Sequence, residues 1–255
     1  PPKPPPPPPK PPDLVLSDGI TTIRASAAYG GAIYSLEHHG IEYINASDRG
    51  RLLQSAFQLN DSTEGENPTE GGSVGDTTGS STVLISGSVN GNVLSTNAQL
   101  AYWHPYNGQV LSPHLLRKTV TLTGNILRHV ITITVGGDQQ SIAMEGLTGY
   151  MPQSFRRWHT FTNGALVPVP SPDIEGEWDM IASDVPLVVA IDDAHAIGCY
   201  APTKGYAYGD IDNWPKWDTG CWAQRPCPAG EYTVEAYTIF GTMAEVTGVL
   251  TRLQS

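Results

Sequence analysis

The sequence predicts an all-β protein, a large antiparallel β-sandwich preceded by a polyproline II segment. Three observations carry that prediction. Short runs alternate apolar or β-branched residues with polar ones, as where Ile131, Ile133 and Val135 share one face of Val130–Val135. Turn dipeptides such as Asn90-Gly91 separate these runs. Ten of the 22 prolines fall within Pro1–Pro12. No window of about 12 residues carries an apolar stripe at helical spacing, so no long helix is expected.

Taken in order, Pro1–Pro12 reads as a polyproline II rod, because each ring fixes φ and removes an N–H donor. Its 12 residues span roughly 37 Å at about 3.1 Å each. The remainder, 13–255, reads as one β-sandwich domain. Ala32–Leu36 and Ile41–Ile44 form a hairpin about His39-Gly40. Asn60–Ser81 is a long Gly/Ser/Thr-rich loop, of the kind that is functional or disordered. Ser81–Val89 pairs with Val93–Leu100 across Asn90-Gly91, and Thr119–Thr123 with Val130–Val135 across Gly124-Asn125. Pro186–Ile191, Ala196–Ala201 and Tyr232–Phe240 are further strands. This body is too long for one seven-stranded immunoglobulin-type sandwich, and no fixed-period repeat indicates a propeller or β-helix.

Composition excludes several function classes. The net charge is −11, and the residues after Pro12 hold 12 basic against 25 acidic side chains without a basic stripe, so nucleic-acid binding is excluded. No apolar run approaches the ~20 residues that span a bilayer. The chain begins at Pro1 without an initiator Met, and is read as a mature product or a fragment of something longer. Asn45-Ala46-Ser47 and Asn60-Asp61-Ser62 are glycosylation sequons, so Asn45 and Asn60 are candidate glycan carriers. Cys221 and Cys227 have a spacing that suits a loop-closing disulfide, with Cys199 left over as a buried thiol. Together with the proline tract these features point to an extracellular or cell-surface setting.

Gly30-Gly31-Ala32-Ile33, Gly40-Ile41-Glu42-Tyr43-Ile44-Asn45, Asp48-Arg49-Gly50-Arg51-Leu52-Leu53-Gln54-Ser55 and Asn67-Pro68-Thr69-Glu70-Gly71-Gly72 together resemble the opening of galactose-mutarotase-like supersandwich domains. The resemblance spans about residues 28–72. It implies a large antiparallel sandwich that binds carbohydrate on a concave sheet. Mutarotases use a catalytic His with a carboxylate base, and no motif here places either. The proline tract separately resembles the rods of extensin- and pherophorin-type cell-wall glycoproteins, which implies a sugar-decorated, extracellular context.

Sugar chemistry needs an acid and a base around a ring. The candidates are Arg51, Gln54, Glu70, His104, His114 and Glu145. His104 lies among Tyr102, Trp103 and Tyr106, a segment that reads either as a stacking subsite or as a loop packed on the sheet. Trp214 and Trp217 sit with Tyr206, Tyr208 and Trp222 in a second aromatic segment. This is either a carbohydrate platform or a loop sealing one end of the sandwich. Asp192-Asp193 and Asp210-Ile211-Asp212 offer oxygens for Ca²⁺ or form a solvated acidic face. No other cofactor and no transition-metal site is expected.

Two functions follow. The favoured one is a non-catalytic structural subunit of an extracellular assembly, in which Pro1–Pro12 contacts further copies of the chain or carries glycans. The alternative is a secreted carbohydrate-active enzyme, a polysaccharide lyase or glycoside hydrolase, or a carbohydrate-binding module.

Overall fold

The structure, a computed structural model, describes residues 13–47, 51–60, 67–72, 82–103, 111–172, 180–211 and 213–255. The expected proline rod, His104, Tyr106 and Asp212 lie outside the described residues, as does most of the 60–81 loop.

The chain enters through β1 (Leu14–Ser17), β2 (Thr21–Ala25), β3 (Ile33–His38) and the short β4 (Ile41–Glu42), an antiparallel meander. His39 and Gly40 both have positive φ, which the tight turn between β3 and β4 requires. β5 (Leu53–Leu59) and β6 (Pro68–Thr69) follow. Then come two long hairpins, β7 (Val83–Asn90) with β8 (Val93–Tyr102), and β9 (Leu111–Thr123) with β10 (Ile126–Val135). Both expected turns sit where the sequence puts them; β7 and β8 run within a few residues of the expected bounds, whereas β9 and β10 begin well before the expected Thr119 and Val130.

β11 (Ile142–Tyr150) returns beside β5. The second half adds β12 (Arg157–Thr162), β13 (Ala165–Pro168), β14 (Ile181–Ser183), β15 (Leu187–Ala190), β16 (Ala196–Tyr200) and β17 (Tyr206–Ile211). β18 (Trp214–Thr219), β19 (Trp222–Gln224) and the long β20 (Gly230–Gly241) complete the strands. Every pairing among them is antiparallel, so the protein is all-β, as the sequence predicts.

Two routes through the pairings matter. One runs β7–β8–β9–β10–β20–β16–β15–β12. The other leaves β8 through β6 and runs β5–β11–β18–β17–β14. Alternate residues point inward, as in β8 and β10, where every second side chain is buried. Leu94, Leu116, Ile131, Phe57, Phe155 and Trp158 belong to the resulting core.

The reading that no window of about 12 residues is helical is corrected by α1 (Met243–Gln254). Thr242 caps it, its Oγ1 accepting from the Glu245 N–H while the Glu245 carboxylate accepts from the Thr242 N–H. Val246, Val249 and Leu250 supply a short apolar stripe that buries Val188, Ala196 and Ile239 in a second, smaller core. Three anchors on a 12-residue helix make too brief a pattern to stand out in sequence.

The Cys221–Cys227 disulfide is also corrected, because all three cysteines are free thiols. Cys221 bonds through its backbone to Gly205, and Cys227 to Gln139. β19 runs along β11 with Trp222 opposite Met144 and Gln224 opposite Ile142, and Cys227 pairs farther along with Gln139. The two cysteines therefore stand at opposite ends of that ladder, beyond the roughly 4.4–6.8 Å Cα separation of a bridge.

Candidate functional site

Paired residues on neighbouring strands share a face, so register shows what converges. Thr69 pairs with Ala56, and Ala56 with Glu145. One step along, Gln54 pairs with Thr148, and Thr148 with Asp218. A further step brings Tyr150 opposite Lys216. Three rows drawn from β6, β5, β11 and β18 thus lay a polar carpet on one sheet face. It floors a cleft of about 700 Å³, with Gln54, Thr69, Trp103, Glu145, Tyr150 and Lys216 in its lining. That volume is in the range of small-molecule sites.

Lys216 organises the charge. Its Nζ donates to Glu145 Oε1 at 3.1 Å and to Asp218 Oδ2 at 3.2 Å, and lies 5.7 Å from the centre of the Tyr150 ring. The Lys216 and Asp218 side chains are 8% and 4% exposed, whereas Glu145 is 38% exposed and opens to the cleft. Burial alone would push the Lys216 ammonium down, but Asp218, Glu145 and Tyr150 outweigh it and hold it well above the ordinary lysine range. Asp218 is pushed up to about 7, first by burial and then by the Glu145 charge, against the pull of Lys216. Burial also pushes the Tyr150 phenol up to about 12. Cys221, another lining residue, has its thiol raised by burial and then by the two carboxylates. The cleft therefore holds an accessible carboxylate, Glu145, which the Lys216 ammonium joins to the buried carboxyl of Asp218, raised to about 7.

The sequence candidates divide. Glu145, Gln54 and Trp103 line this cleft, and the Arg51 charge acts on Tyr150 at its margin. Glu70 does not reach it. Its side chain is sealed in an ion pair with Lys118 of β9, and its Oε2 accepts from the Ser55 N–H at 3.1 Å. His114 is buried elsewhere, where its Nδ1 accepts from the Gly136 N–H at 3.1 Å and burial pushes the imidazole down.

Trp217 is corrected from sugar platform to core residue. It points away from Lys216 and Asp218, is 1% exposed, and lies against Gly149, where a Cβ would come within 2.5 Å of the indole. Trp214 shares the Lys216 face but sits half-buried at the far end of β18, opposite Ile211.

The sequons are similarly placed. The Asn45 side-chain nitrogen is buried, which leaves no room for a sugar at that atom, and its Oδ1 accepts from the Ser47 N–H. The Asn60 amide is half-buried, donating to Gln139 and accepting from Gln140. Among the described residues no group of three or more His, Cys, Asp or Glu is arranged to hold a metal ion. Asp192 caps the Ala194–His195 turn, Asp193 pairs with Arg157, and Asp210 with Arg156. No described helix is long and apolar enough to cross a membrane.

Sequence reasoning missed Lys216, Asp218, Tyr150 and Thr148. One signal was there. Residues 171–220 hold ten acidic residues and two lysines, and Lys216-Trp217-Asp218 alternates charge with tryptophan, as a strand with one polar and one apolar face does.

No protein-family model matches the chain, and no curated protein sequence matches it. Solved structures do. A protein of Escherichia coli K12, provisionally named an aldose 1-epimerase, superposes with a TM-score of 0.57 at 12% identity, over 91% of this chain and 99% of that one. A galactose mutarotase-like protein from Clostridium acetobutylicum gives 0.51 at 8%, over 90% and 95%. An alpha-mannosidase from Enterococcus faecalis V583 gives 0.59 at 11%, over 93% of this chain but 30% of the enzyme. The chain has the mutarotase-like fold. At such identities the likeness concerns fold alone.

Proposed function

We propose that this chain is a carbohydrate-active protein and that the β5–β11–β18 cleft holds a sugar ring. The observation that carries this reading is the convergence of Glu145, Lys216 and Asp218 on one sheet face beside the amide of Gln54, the Thr148 hydroxyl and Trp103. Hydroxyl-rich ligands need paired donors and acceptors, and an aromatic ring at the edge packs against C–H faces. That the fold is shared with proteins named for sugar chemistry supports the same choice. It favours the carbohydrate-active alternative over the filament subunit, whose contact segment, Pro1–Pro12, lies outside the described residues.

In chemical terms, Glu145 is the base, being the carboxylate open to the cleft. Asp218 is the proton reserve, and Lys216, which stays an ammonium, donates to both and orients them. Such a pair suits proton transfer to and from sugar oxygens. The test is saturation-transfer NMR with a panel of methyl glycosides and short oligosaccharides, on wild type and Glu145→Gln. Binding by wild type that is weakened at least tenfold by E145Q supports the reading. A panel with no binder, or one indifferent to E145Q, overturns it.

A further inference from the structure

Glu145 and Thr148 are three residues apart, a spacing that puts side chains on opposite faces of a regular strand. Here both face the cleft. The reason is a β-bulge: Glu145 pairs with Ala56 and Thr148 with Gln54, so Gly146 and Leu147 together stand opposite the single residue Ser55. Without the bulge, Glu145 would point away from Lys216 and Asp218.

Buried contacts hold that irregularity. The Ser55 hydroxyl, fully buried, donates to the Gly146 carbonyl at 2.7 Å and so takes up the acceptor turned aside at the bulge. Gly146 is required because a Cβ there would come within 2.7 Å of the Gly220 carbonyl oxygen and 2.9 Å of Val234. Ser55 is gripped in turn by Glu70, whose N–H donates to the Ser55 carbonyl at 3.0 Å while its carboxylate accepts the Ser55 N–H. Lys118 neutralises Glu70 from β9. The next residue, Gly71, donates its N–H to Gln54 Oε1 at 2.7 Å and fixes that lining side chain.

We propose that Ser55 is a positioning residue for the cleft: its hydroxyl, held in place by the Glu70–Lys118 pair, locks the β11 bulge and thereby aims Glu145 at Lys216 and Asp218. The sequence candidate Glu70 acquires a role through this chain without touching a ligand. The functional weight of the proposal rests on the cleft being the sugar site, but the geometry is tested without any ligand.

The experiment is a ¹³C-carboxyl NMR titration of Asp218, whose midpoint reports the Glu145 charge nearby. Glu145→Gln is expected to lower that midpoint. Ser55→Ala should lower it in the same direction, and S55A/E145Q should lower it no further than E145Q alone. Ser55→Thr, which keeps the hydroxyl, should titrate as wild type. If S55A leaves Asp218 unmoved while E145Q shifts it, the positioning role is overturned. If E145Q itself has no effect, the convergence of the two carboxylates is overturned. Should S55A not fold, S55T decides, since a lowered midpoint in S55T contradicts the proposal. Failure of every sugar to bind wild type would sink the function reading while leaving these titrations interpretable.

Discussion

Two lysines in this protein sit deep among carboxylates, and they do different things. Lys118 meets Glu70 with both side chains fully sealed, and the pair joins β9 to the junction of β5 and β6. Lys216 meets Glu145 and Asp218, but here one carboxylate stays 38% exposed at a cleft. Chemically the clusters are close relatives. The difference is access, and access comes from backbone geometry: a bulge in β11 turns one carboxylate outward, whereas Glu70 curls back on Ser55 with no route to solvent. A buried ion pair is therefore weak grounds for assigning a catalytic group until the opening above it is known.

That comparison can be broken in four ways. The largest effect is expected from Lys118→Met, which leaves the Glu70 carboxylate buried and unpaired. A loss of about 3–5 kcal/mol in denaturant unfolding is expected, with much of it recovered in K118M/Glu70→Leu. If K118M costs no more than E145Q, the sealed cluster is not the structural one.

Next comes the pH dependence of stability. Asp218 has its carboxyl raised to about 7 in the fold, against about 4 unfolded. The folded state then keeps a proton that the unfolded chain has released, so stability falls as pH rises from about 4 to about 7 and then levels off. This is opposite to the behaviour of a salt-bridged carboxylate with a lowered value. Asp218→Asn should flatten that segment of a stability–pH curve, and an unchanged slope would remove Asp218 from the proton reserve.

A smaller effect, about 1 kcal/mol, is expected from Thr242→Ala, which takes away the α1 cap. Thermal unfolding should show it with no change at the cleft. The smallest belongs to Arg117→Ala. Arg117 pairs with Glu231 on the open face of β9 and β20 with both side chains 54% exposed. Its loss should change stability by about 0–1 kcal/mol, completing a series in which the worth of an ion pair follows its burial.

Much of the fold was legible because hairpins are local. Asn90-Gly91 and Gly124 announce turns, and the flanking alternation declares the inner face. The candidate site was legible only in fragments. Glu145, Gln54 and Trp103 stood out as residue types, but Gln54, Thr148 and Asp218 meet through the register of three strands distant in sequence. The bulge that turns Glu145 toward them depends on Ser55 and Gly146, which look unremarkable in a Ser- and Gly-rich chain. Trp217 misled for a related reason, since tryptophan suits a sugar platform and a core equally, and only its phase on β18 distinguishes them.

β20 carries a consequence for how the protein is made. It hydrogen-bonds to β10 along one flank and to β16 along the other, and α1 directly behind it covers the second core. During synthesis every other described strand leaves the ribosome before β20, which joins β10 to β16. Until residues 230–254 emerge, β10 and β16 each keep an unpaired edge, and the apolar surface around Val188 and Ala196 stays uncovered. The nascent chain is then open to edge-to-edge association, and a ribosome pausing shortly before Gly230 would lengthen that exposure.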